Sequence, residues 1–121
     1  MDHWRDLALG DVIAERRLFL DGEASVIVRI GRPLIASTEP HESACPWQIE
    51  GLGSGKVRKT FGVDQVQALW LTLQIIGSTL YASEEYRAGR LKAFADGNDR
   101  GDLGFPVTHN VEDLLPKVIE T

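Results

Sequence analysis

The apolar residues of this chain change their spacing at Val63: before it they alternate, and after it they recur every third or fourth position. Period two lets an extended chain bury one face, whereas a period near 3.6 lets a helix bury one stripe. The switch therefore calls for strands first and a helix second. That order sets the fold class as α+β.

In the first strand-like stretch, VIAERRLFL, Val12, Ala14, Leu18 and Leu20 share one side, with Arg16 the exception. Asp21-Gly22 follows, a pair that accepts the positive φ angles of a type I′ turn. Ala24, Val26, Val28 and Ile30 then alternate with the opposite side, which completes a hairpin. Residues 32–44, RPLIASTEPHESA, carry two prolines and many short polar side chains and read as an irregular loop. Alternation resumes over residues 45–52, where Trp47 and Ile49 point together, and again over residues 57–62, where Val57 pairs with Phe61. A turn at residues 52–55 joins these two strands.

The helical stripe consists of Val66, Leu69, Trp70, Leu73, Ile76, Leu80 and Tyr81. Asp64 is placed to cap its N-terminus, with Gln67 three residues on to reach back. A break near Ser83 is expected, and Gly89 supplies a C-terminal stop. Gly77 lies within the apolar face and costs about 1 kcal/mol of propensity relative to Ala, which predicts close packing against a strand. Residues 96–102 are polar and glycine-rich and read as a surface loop, after which residues 103–107 return to the core. Asn110 can cap a short terminal helix that Pro116 interrupts. The expected architecture is a four-stranded antiparallel meander sheet packed on one long amphipathic helix, with an irregular C-terminal segment. One domain covers residues 1–121, its core at about 12–107 and its termini loosely attached.

Composition narrows the function classes. A length of 121 residues, 43% hydrophobic and 26% charged, suits one soluble globular domain rather than a disordered, fibrous or membrane protein. A net charge of -5 opposes binding to nucleic-acid phosphates, which depends on clustered Lys and Arg. The single cysteine, Cys45, has no internal disulfide partner, and MDHWRDLALG lacks the basic start and apolar stretch of a secretory signal. A cytoplasmic location is expected.

The stretch IEGLGSGKVRK places three glycines before Lys56, yet only three residues separate Gly51 from Gly55, Val57 follows the lysine, and the next segment is strand-like. A phosphate loop needs four intervening residues, a Ser or Thr after the lysine and a helix start, so a hairpin turn is the better reading. Glu39, His41, Glu42 and Cys45 are residue types that bind transition metals, but their spacing matches no metal signature. Adjacent Glu84 and Glu85 diverge on a helix and cannot act as a carboxylate pair. No residue is assigned to catalysis, to a cofactor or to a metal.

The stretch GVDQVQALWLTLQIIGSTLYASEEYRAGRL followed by GFPV resembles a family of small uncharacterised bacterial proteins, a domain of unknown function. IAERRLFL, VIVRIGRP and WQIEGLG are similar to the same family, so the resemblance covers most of residues 12–107. It implies a bacterial, cytoplasmic, single-domain protein and lends no activity to any residue.

Two function classes follow. The first is a non-enzymatic interaction module, a homodimer or a partner-binding protein, including the toxin-neutralising kind. One helix shields one sheet face, which leaves Phe19 and Ile27, of opposite parity to the main apolar sets, for a partner on the other face. The alternative is a small-molecule- or metal-binding protein or enzyme with a pocket between the helix and the 32–44 loop.

Overall fold

The computed structural model describes residues 9–106. Strands β1 (Val12–Leu20), β2 (Glu23–Gly31), β3 (Leu34–Thr38), β4 (His41–Glu50) and β5 (Val57–Gly62) precede helix α1 (Gln65–Tyr81), the short helix α2 (Glu84–Arg87) and strand β6 (Leu91–Lys92). All strand pairs are antiparallel, in the order β3-β4-β2-β1-β6, with β5 also on β4. The fold is α+β with a six-stranded sheet, where the sequence predicts four strands and one helix.

The two additional strands have physical reasons. Ile30 pairs with Trp47 and Leu34 with Ala44, so β3 continues β2 along one edge of β4 after the interruption at Arg32-Pro33. The polar stretch expected to be an irregular loop is therefore largely a hairpin, turning at Glu39-Pro40 between Thr38 and His41. Its exposed tip carries no buried alternation to announce it. Strand β6 is only two residues long and pairs with Phe19 and Leu20. The β1–β2 turn does place Asp21 and Gly22 at φ 54° and 86°. Asp21 also holds Arg90 through two side-chain hydrogen bonds of 3.0 and 2.8 Å, which ties the hairpin tip to the segment entering β6.

Helix α1 begins as expected: Asp64 Oδ1 accepts from the Gln67 N–H at 2.8 Å. Gln67 reaches back one residue further than a standard capping box, accepting from the Val63 N–H at 2.7 Å. The break comes at Ser83, whose hydroxyl donates to the Leu80 carbonyl and accepts from Tyr86 N–H, ending one helix and starting the next. Gly89, with φ 78°, follows α2.

The core lies between the sheet and α1. Leu18, Val26, Val28, Ile30, Cys45, Trp47 and Ile49 meet Ala68, Ile76 and Leu80, and Leu91, Leu103 and Phe105 close the side over β1. Thr72, wholly buried, donates its hydroxyl to the Ala68 carbonyl, and Trp47 Nε1 donates to Thr60 at 2.9 Å. The buried stripe is thus rotated from the predicted one. Ala68 and Thr72 lie inside, while Val66 (77% exposed) and Trp70 (52% exposed) lie outside.

Gly77 meets a different neighbour from the strand expected. A Cβ there would run into the Pro106 carbonyl and approach Phe105 Cβ to 3.2 Å, so the glycine admits the C-terminal segment. Residues 96–102, expected to stay unpacked, are knitted by three aspartates. Asp96, Asp99 and Asp102 each accept from the N–H two residues on, at Asn98, Gly101 and Gly104. Asp99 is only 6% exposed and also accepts from Ala93 N–H. The proposed terminal helix at Asn110 lies outside the described residues.

Candidate functional site

Helix α1 packs over β4 and β5, so the β1–β2 half of the inner sheet face is roofed by residues 103–106 instead. Between the helix edge and that roof remains a cleft of ≈ 260 Å³, with Ala14, Val28 and Ile30 as floor and Leu73, Phe105 and Pro106 as walls. Its lining is mainly apolar. The charged exceptions are Glu15, whose carboxylate pairs with Arg29 at 3.2 Å, and Arg16, the residue that interrupts the apolar side of β1 in the sequence.

Arg16 spans to the far end of the described chain. Its Nη1 donates to the carbonyls of Leu103 at 3.2 Å and Gly104 at 2.8 Å, and its guanidinium carbon lies 4.6 Å from the centre of the Phe105 ring. Gly104, at φ 86°, has no Cβ, and one placed there would strike the guanidinium. The GFPV stretch therefore acts as one unit: Gly104 seats the cation, Phe105 supports it, and Pro106 lies against Gly77. Nε and Nη2 make no hydrogen bond, and no carboxylate forms an ion pair with Arg16, among the described residues. On the helix side, the Tyr81 hydroxyl accepts from Leu103 N–H at 2.8 Å, and burial pushes that phenol above its usual pKa.

The outer face of α1 is the second unusual surface. QVQALWLTLQIIGSTLY contains no Asp, Glu, Lys, Arg or His, although a surface helix ordinarily carries charge on its solvent side. Val66 and Trp70 are exposed on one flank of the helix, and Ile75, at 41%, is exposed about 140° further round it. Gln65 is used to fasten the first turn, its amide donating to the Pro33 carbonyl at 2.7 Å.

Phe19 and Ile27 do share the outer sheet face and both are half-buried. Ile27 pairs with Arg17 on one side and Glu50 on the other, and Phe19 pairs with Lys92. Nearby, Arg29 donates to Glu15, Gln48 and Glu50, so the middle of this face is a charged and polar ladder.

The remaining candidates separate. The glycine-rich stretch is the β4–β5 hairpin connection, with Gly51, Gly53 and Gly55 at positive φ and a strand rather than a helix after Lys56. Glu39, His41 and Glu42 stay at the exposed hairpin tip, while Cys45 is wholly buried with its thiol 3.6 Å from the Gly31 carbonyl. Burial raises the Cys45 thiol pKa, against a smaller opposing hydrogen bond with Thr72. Among the described residues no group of three His, Cys, Asp or Glu side chains could hold a metal ion. None of residues 32–44, beside which the sequence predicts a pocket, lines the Arg16 cleft. No helix among the described residues is long and apolar enough to cross a membrane.

Taken together, these features define a small α+β domain with one helix over a meander-based sheet and its C-terminal segment clamped by an arginine. The chain belongs to the family described as a domain of unknown function (DUF6968), which it matches over residues 14–107. Arg16, Gly77, Gly104, Phe105 and Pro106 all lie within the matched region. No curated protein and no solved structure matches the chain.

Proposed function

We propose that this protein is a non-enzymatic interaction module that joins a second copy of itself through the outer face of α1. The observation that carries the reading is the absence of charge along α1 together with the exposure of Val66 and Trp70, one turn apart on the same flank. Interface cores are depleted of charged residues and enriched in aromatic ones, and this helix has that composition on its outer side. A two-fold contact also sets the same patch against itself, so an apolar patch is its own complement. The outer sheet face carries Arg17, Arg29, Glu50 and Lys92 around Phe19 and Ile27, which makes it the second place for such a contact.

Sedimentation equilibrium at roughly 10–50 μM, a range suited to weak association, tests the reading. The parent is expected to dimerise, and Val66→Glu with Trp70→Glu is expected to yield a monomer, because unpaired charge in an apolar contact is strongly unfavourable. Both positions are exposed, so the fold should survive. The Phe19→Asp, Ile27→Asp variant should remain dimeric; loss of the dimer in that variant alone would move the contact to the sheet. A monomeric parent would contradict self-association on either face.

A further inference from the structure

We infer that the Arg16 cleft binds a small monocarboxylate with an aromatic or short aliphatic body. The cleft supplies two recognition elements in one place. Its floor and walls, from Ala14, Val28, Ile30, Leu73, Phe105 and Pro106, are apolar. Its lining also includes a guanidinium with one nitrogen engaged and two free, and Glu15, whose carboxylate is taken up by Arg29.

The engaged nitrogen matters because it fixes the free ones. Nη1 is held by two backbone carbonyls and the plane is supported by Phe105, so little side-chain freedom remains to be lost on binding. The Nε and Nη2 edge of an arginine is spaced for the two oxygens of a carboxylate, which it can grip bidentately. No described carboxylate occupies that edge, although the chain carries 18 acidic residues. Arginine set beside apolar walls favours an amphiphilic ligand over an inorganic anion, which would leave those walls uncovered.

Size limits the body of the ligand. An apolar cavity of about 150 Å³ accommodates benzene, so the ≈ 260 Å³ here accommodates a ring with a short chain. A pinning role for Arg16 alone accounts for Nη1 and for the Phe105 contact. It does not require an open apolar cleft alongside.

The test uses 3-phenylpropionate as probe and its neutral analogue 3-phenylpropanamide as control, titrated into the ¹⁵N-labelled full chain. Saturable shifts are expected for the amides of Ala14, Val28, Leu73, Gly104 and Phe105, with a dissociation constant at or below roughly 1 mM for a ligand of this size. The amide analogue should bind at least about five-fold more weakly, since it lacks the charge that strengthens the hydrogen bonds. Arg16→Gln should erase the difference between acid and amide. Ala14→Leu, which fills the floor and leaves Arg16 intact, should weaken both. Absence of saturable shifts up to roughly 10 mM, ten times the expected constant, would overturn the inference. So would equal binding of acid and amide by the parent, or a preference for the acid that persists in Arg16→Gln. Should Arg16→Gln fail to fold, the parent comparison and the Ala14→Leu variant still decide.

Discussion

Gly77 and Asp99 show how single residues fix the C-terminal segment. Replacing Gly77 by Ala would gain about 1 kcal/mol of helix propensity. The new methyl group would meet the Pro106 backbone carbonyl, however, and backbone cannot swing aside as a flexible side chain can. Overpacking of this kind costs about 1–3 kcal/mol, so Gly77→Ala should lower stability in a urea titration. A gain in stability would mean that residues 105–106 do not lie where described. Asp99 adds a pH dependence. Burial raises its pKa, but the N–H groups of Ala93 and Gly101 together with Lys92 outweigh that effect and leave it below the ordinary value. Its folded-state pKa is thus lower than its unfolded one, near 3.9, so the stability it contributes is present above that pH and lost as pH falls through the folded value. In acid unfolding followed by near-ultraviolet dichroism, the gap between parent and Asp99→Asn should be full at neutral pH and close below about pH 4. A gap that stays constant through that window would remove Asp99 from the account.

At the scale of elements, the strands with alternating burial were legible and those without it were not. The β1–β2 hairpin was readable because Asp21-Gly22 sits between two alternating runs. Residues 32–44 were not, because β3 is mostly exposed and its pairing with β4 comes from continuing the β2 ladder, a long-range circumstance. In α1 the spacing of the large apolar residues marked a stripe that includes both buried and exposed positions. Ala68 and Thr72, small and weakly apolar, fill the inside positions that Val66 and Trp70 were expected to take. The consequence is measurable. Ile76→Ala should cost about 2–5 kcal/mol, as for a fully buried aliphatic side chain. Leu73, half-buried against the open cleft, should cost about 1–2 kcal/mol on truncation, since it loses less buried surface. Equal costs in chemical denaturation would mean that Leu73 is buried as fully as Ile76.

At the scale of the molecule, neither candidate surface was readable from local pattern. The cleft exists because α1 covers β4 and β5 while residues 103–106 cover β1, and Arg16 meets Gly104 across 88 positions of chain. Arg16 did stand out as the break in an apolar alternation, a signal of exception without a signal of purpose. The uncharged outer face of α1 was present in the sequence, but an apolar stripe assigned to the core conceals a surface. The parity of Phe19 and Ile27 was readable in the sequence, but their charged neighbours across β6, β1 and β4 follow from register alone.

Association through α1 is the central claim, and a distance between two copies tests it most directly. The native cysteine is buried, so a nitroxide label can be directed to an introduced cysteine at Gln74→Cys, on the outer half of α1. Helices packed against each other lie about 8–10 Å apart, so electron–electron dipolar spectroscopy of the labelled dimer should report a distance under about 30 Å once the label arms are included. Contact through the outer sheet face would instead place two sheets, each about 10 Å thick with its helix, between the labels and give a separation beyond about 40 Å. The account predicts the short distance. The long distance, or no dipolar coupling at concentrations of roughly 50 μM where weak dimers populate, would contradict it.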